Sequence, residues 1–123
     1  MEKGTISIIK DRVTISPVNG EIWLTEHEIA HLLECFVSKV SANIRAIQKT
    51  GVLDETKVCR TYHYGNGNSV EQYNLEMITA LAFRIKSRNG DLLREYIIRR
   101  AVIDTTNRQF LVIGNWNGGI STN

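Results

Sequence analysis

The sequence predicts an α+β domain, specifically a winged helix-turn-helix with an N-terminal β-hairpin and additional C-terminal helices, and three observations predict it. Between Ile22 and Ile47 two segments of helical hydrophobic period are separated only by Glu34-Cys35-Phe36. Two β-prone runs around Gly65-Asn66-Gly67-Asn68-Ser69 follow, placed as a wing would be. A pair of short β-prone runs precedes the helices. At 123 residues the chain has room for one real core, so residues 1–113 are expected to form one domain and residues 114–123 a flexible tail.

Taken in order, Thr5-Ile6-Ser7-Ile8-Ile9 and Arg12-Val13-Thr14-Ile15-Ser16 read as a hairpin turning at Lys10-Asp11, and Pro17-Val18-Asn19-Gly20 breaks it. Glu21-Ile22-Trp23 adds a short strand, with Trp23 as a core anchor. Thr25 and Glu28 have the spacing of a capping box, so the first helix begins at Glu26 with Ile29, Ala30, Leu32 and Leu33 inward. In the second helix Val37, Val40, Ile44 and Ile47 recur at helical spacing, and Gly51 stands at the C′ position that ends it. Val52-Leu53-Asp54-Glu55 is a connecting turn, and strands follow at 57–64 and 70–75. Leu75 to Ile85 is a buried apolar helix, broken at Ser87-Arg88-Asn89-Gly90. Asp91 to Val102 is an amphipathic helix with Leu92, Leu93, Tyr96, Ile97 and Ala101 inward and Arg94, Arg99 and Arg100 outward, stopped by Asp104-Thr105-Thr106-Asn107. Gln109-Phe110-Leu111-Val112-Ile113 is expected as a last strand against the N-terminal hairpin.

Net charge is only +2, so affinity for nucleic acid requires a local patch. Arg84, Lys86, Arg88, Arg94, Arg99 and Arg100 form one in sequence, opposed locally by Asp91 and Glu95. Cys35 and Cys59, the only cysteines, lack C-x-x-C spacing, which fits reduced thiols in a cytoplasmic protein. Met1-Glu2-Lys3-Gly4 has no apolar h-region and no later run is long enough to span a bilayer, so neither secretion nor membrane insertion is expected. Neither cofactor nor small-molecule substrate is expected.

Two motifs share the first helix. The helix-turn-helix reading turns Ser38, Lys39, Ala42, Asn43 and Arg45 outward; short polar side chains let a helix lie deep in a major groove, and Asn43 suits a bidentate adenine contact. Thr25, Arg45 and Lys49 would hold phosphates, supported by His63 and Asn66 of the wing, whose tip has no Lys or Arg. The partner is then double-stranded DNA. The competing motif, His27-Glu28-Ile29-Ala30-His31, matches H-E-x-x-H, in which two imidazoles one turn apart bind zinc and the Glu activates water. His63 or Glu55 would have to be the third ligand. The motif occupies the first helical turn, opposite the apolar face, so the histidines should face solvent. No catalysis is expected.

From about Glu21 to Val102 the chain resembles the N-terminal region of the virulence-associated RhuM family. The residues that carry the likeness are Trp23-Leu24-Thr25, the two helices, the Val52-Leu53-Asp54 link, the hairpin, Tyr73-Asn74-Leu75 and the helix ending at Arg84-Ile85. The resemblance implies a cytoplasmic, DNA-binding winged module carried by a mobile element or pathogenicity island, and no chemical activity. The chain departs from that family's Gly-Val-Ser interhelical turn, having Glu34-Cys35-Phe36 instead. Losing the Gly removes the residue that most easily takes a left-handed turn, and Phe36 replaces a polar cap. Phe36 with Val37 suits a protein contact, so a homodimer or other protein-interaction module is the alternative.

Overall fold

The computed structural model describes residues 4–115, with side chains described to residue 104. β1 (Thr5–Ile9) and β2 (Arg12–Ser16) pair antiparallel with Ile9 opposite Arg12. Lys10 and Asp11 between them both have positive φ, 51° and 64°, as a two-residue type I′ turn requires to match the twist of its strands. Asn19 and Gly20 repeat the device beneath a Val18–Glu21 bridge. The hairpin packs Ile6, Ile8, Val13 and Ile15 against the core.

β3 (Trp23–Thr25) leads into α1 (Glu26–Leu33). The expected capping box is formed: Thr25 Oγ1 accepts from the Glu28 amide at 3.2 Å, and a Glu28 carboxylate oxygen accepts from the Thr25 amide at 2.9 Å, which satisfies two otherwise orphaned donors. Ile29, Ala30, Leu32 and Leu33 are buried as their spacing predicts. The chain then reverses at Glu34, at φ 56°, ψ 53°. The Glu34 and Cys35 amides bond back to the His31 and Ala30 carbonyls at 3.3 and 3.0 Å, the left-handed helix end that glycine commonly supplies. Phe36 is the extended N-cap of α2 (Val37–Thr50) and makes no side-chain cap bond. This helix buries Val40, Ile44 and Ile47 and ends at Gly51, whose φ of 70° explains the glycine.

Beyond it come α3 (Glu55–Val58), β4 (Cys59–His63) and β5 (Ser69–Asn74), the sheet running in the order β3-β5-β4, all antiparallel. Asn74 caps α4 (Leu75–Arg84) by accepting from the Met77 amide at 3.2 Å. α5 (Arg88–Asn115) closes the described chain. Ile29, Leu33, Val40, Met77, Ile78, Leu81, Ile85 and Leu93 meet in the fully buried centre of this mixed α+β fold. No helix among the described residues is long and apolar enough to cross a membrane.

Several local expectations need correction. Lys57 and Val58 belong to α3 and not to β4, because Asp54 caps a helical turn through the Thr56 amide at 3.0 Å. The break after α4 falls at Ile85–Ser87, and Gly90 lies inside α5; a Cβ there would stand 3.0 Å from the Ile85 carbonyl, so that glycine serves close packing and not chain breaking. The Asp104-Thr105-Thr106-Asn107 stop and the strand at 109–113 are both replaced by helix. Those four residues are weak helix formers without a proline, so nothing steric ends the helix. Ala101 is exposed and Arg94 is not outward-facing but half-buried. The expected tail starts within α5 at Gly114 and Asn115; its remainder, 116–123, lies outside the described residues.

Glu34 bears the cost of a left-handed conformation with no side-chain bond to offset it among the described residues. Glu34→Gly should therefore stabilise the fold by about 0.5–1 kcal/mol in urea titration, the relief of the left-handed penalty less the extra entropy of glycine. A destabilised variant would show that the Glu34 side chain itself supports the turn.

Candidate functional site

The outer face of α2 is where most of the predicted binding residues meet. Ser38, Ala42, Arg45 and Lys49 follow one another at i, i+4, i+7 and i+11, which places them on a single stripe, and all four are exposed. Exposed Lys39 and half-buried Asn43 run beside that stripe. The helix carries three cations and no carboxylate. Asn43 is already engaged at both ends of its amide: Nδ2 donates to the Lys39 carbonyl at 2.9 Å, and Oδ1 accepts from Arg84 Nε at 3.0 Å. One N–H and one lone pair are left over, so the adenine contact expected of it would share the amide with these two bonds.

Arg84 is the residue that sequence reasoning put in the wrong company. It belongs to α4, and its bond to Asn43 delivers its guanidinium to the α2 face. The other members of the supposed basic patch are drawn elsewhere. Arg88 pairs with Asp11 in the β1–β2 turn, and Arg94 reaches both Asp91 and the Ala82 carbonyl. Lys86 lies 3.6 Å from Asp91, Arg99 lies 3.1 Å from Glu95, and Arg100 faces the Tyr96 ring. Lys39, Arg45, Lys49 and Arg84, by contrast, have no carboxylate partner among the described residues.

The remaining predicted residues are dispersed. Thr25 spends a lone pair on its cap but keeps a hydroxyl hydrogen to donate. His63 ends β4 and is exposed, and Asn66 closes its own loop by accepting from the Asn68 amide at 3.0 Å. Phe36 is 82% exposed, whereas Val37 is half-buried against the core. Trp23 is half-buried: its indole donates to Glu21 at 2.8 Å and its ring lies 4.3 Å beneath the Arg60 guanidinium. Arg60 in turn donates to the buried Gln72 at 2.8 Å, so this cation serves the sheet. His27 and His31 are exposed as expected. Neither His63 nor Glu55 joins them, and no group of three His, Cys, Asp or Glu able to hold a metal occurs among the described residues.

A polar tie behind α2, with no signal in the spacing, fixes its orientation. Ser41 donates to Glu26 at the head of α1, and the buried Tyr73 hydroxyl of β5 lies 3.4 Å from the other Glu26 oxygen and 3.1 Å from Glu71. Cys59 on β4 donates to the same Glu71 oxygen at 3.6 Å. Burial, then the Glu71 charge and hydrogen bond, push the Cys59 thiol up to about 11. Burial, followed by the charges of Cys59, Glu71 and Glu26, raises the Tyr73 hydroxyl as well.

No family model, curated protein or solved structure matches the chain.

Unfolded cysteine loses its proton near pH 9.0, while folded Cys59 keeps it to about 11. In that window the folded state holds the extra proton, so its stability is fully present below pH 9 and falls as pH rises toward 11. Urea midpoints measured from pH 8 to 11 should decline, and Cys59→Ser should flatten the decline. An unchanged slope in the variant would exclude this thiol as the cause.

Proposed function

We propose that the chain is a DNA-binding module of winged helix-turn-helix type, a transcriptional-regulator-like protein of a mobile element such as the RhuM resemblance implies. The single observation that carries the proposal is the pairing asymmetry of the cations: four on the α2 face have no carboxylate partner among the described residues, whereas on α5 and its approach four of the five cations with described side chains, Lys86, Arg88, Arg94 and Arg99, are held by carboxylates. Unpaired cations on a helix free of acids suit a polyanion. Topology supports the same reading: the two-helix unit lies between β3 and β4, and the β4–β5 hairpin follows it in an order, β3-β5-β4, that fits a wing. Lys39, Arg45, Lys49 and Arg84 would neutralise phosphates, with Thr25, His63 and Asn66 in support, while Ser38, Ala42 and Asn43 approach base edges. Asn43 also holds Arg84, leaving the guanidinium's terminal nitrogens for the duplex.

The test is fluorescence anisotropy with random-sequence duplex at several salt concentrations. Affinity should fall linearly on logarithmic axes with a slope of several units, and Lys39→Ala or Arg84→Ala should each lower that slope by about one. Arg99→Ala, which removes a cation already paired with Glu95, should leave it unchanged. Absence of binding at low salt, or equal slopes in all three variants, overturns the proposal.

The exposure of Phe36 favours a second reading, a homodimer through the head of α2. Under it the protein sediments as a dimer that Phe36→Ser converts to monomer, with negligible DNA affinity throughout. A wild-type monomer excludes it.

A further inference from the structure

A second surface is built along the open edge of β1, independent of the α2 cations. The two-residue turn at Lys10-Asp11 fixes the hydrogen-bond phase of the hairpin: Ile9, Ser7 and Thr5 exchange bonds with Arg12, Thr14 and Ser16. The amides and carbonyls of Ile6 and Ile8 consequently point to the other side, where no strand pairs with β1 among the described residues. A groove of about 930 Å³ runs along that side between β1 and α1, a size that accommodates a ligand of several residues. Leu24 and Ala30, both buried, contribute its apolar floor. Ile9 and Phe36, 66% and 82% exposed, stand at its rim. The Glu34 carboxylate lines it too, with no cationic partner among the described residues.

We infer that this groove binds an extended segment of another protein as a third strand on β1. The occupant is apolar at alternate positions and carries a Lys or Arg that meets Glu34. Backbone bonds to Ile6 and Ile8 supply affinity, the floor takes every second side chain, and Glu34 selects the charge. α1 borders the groove with the exposed His27 and His31, so the occupant lies along β1 and against α1.

The probe is a labelled eight-residue peptide of alternating valine and threonine with lysine at each end, compared with its glutamate-ended counterpart. Anisotropy should show saturable binding of the first and at least tenfold weaker binding of the second. Glu34→Lys should reverse the preference. Ile8→Pro removes a core-packing side chain as well as the edge amide, so Ile8→Ala is its control: at a temperature where circular dichroism shows both variants folded, Ile8→Pro should abolish binding and Ile8→Ala should retain it, because the Ile8 amide takes no part in the hairpin and proline is tolerated on such an edge. In hydrogen exchange the Ile6 and Ile8 amides should become protected only with the lysine-ended peptide. Failure of both peptides to bind at millimolar concentration overturns the inference, as does binding that Ile8→Pro and Glu34→Lys leave intact. Self-association of the protein alone that Ile8→Pro abolishes would assign the edge to a second copy and also overturn it.

Discussion

Glu34, turned to φ 56° and ψ 53°, is the constraint on which the arrangement of everything after it depends. Its conformation ends α1 after eight residues, closes the His31 and Ala30 carbonyls, and sends the chain back within two residues into α2. The reversal lets Ile29 and Leu33 face Val40 and Ile44 in one core, onto which α4 and the start of α5 then pack. It also leaves Phe36 with no interior to enter, since an extended N-cap directs its side chain away from both helices. The absence of glycine at the turn thus has a local energetic cost and no topological one. A core that buries this much apolar surface overrides a left-handed penalty of about 1–2 kcal/mol.

What the sequence made legible was governed by short-range chemistry. The capping box at Thr25 and Glu28, the helical spacing from Ile29 to Ile47, the terminal Gly51 and the hairpin around Gly67 all act within a few residues, so a linear reading finds them. The errors have a shared cause. Val58 and the run at 110–113 are β-branched or apolar, and their strand preference is weak beside a cap at Asp54 or the momentum of a helix that meets no proline. Arg94 has a polar side chain on an amphipathic helix and was assigned to solvent, yet the Ala82 carbonyl and Asp91 bring it inward.

The candidate site was half legible. Helical spacing puts Ser38, Ala42, Arg45 and Lys49 on one stripe without further information. The charge pattern along the chain, however, misleads, because a run of arginines is adjacent in sequence and not in space. Folding sends Arg88 to the hairpin turn, Arg99 to its own helix and Arg84 across to Asn43, 41 residues earlier in the chain. The functional quantity is which cations remain without a carboxylate after folding, and only the tertiary structure sorts them. The Glu26–Ser41–Tyr73 tie is of the same kind: residues from three elements, each unremarkable by itself, hold α2 at one angle to the sheet.

The two surfaces place opposite demands on the chain. On α2 the exposed cations Lys39, Arg45 and Lys49 stand on long solvated side chains beside the small Ser38 and Ala42, an arrangement that, under the proposed function, suits a polyanion without recruiting apolar surface. On β1 the exposed edge is Thr-Ile-Ser-Ile-Ile, free of proline and of charge within the strand, the composition that edge strands commonly avoid because it templates further pairing. An unguarded edge of that kind usually carries an aggregation cost. Here the groove beside that edge is also lined by His27 and His31 of α1 and by Glu34, which follows it. Under the strand-addition proposal these polar groups restrict what pairs with β1 to a segment of compatible charge. Such a restriction would reconcile an open edge with a discrete folded domain and separate strand addition from the indiscriminate sheet growth that an uncharged edge otherwise promotes.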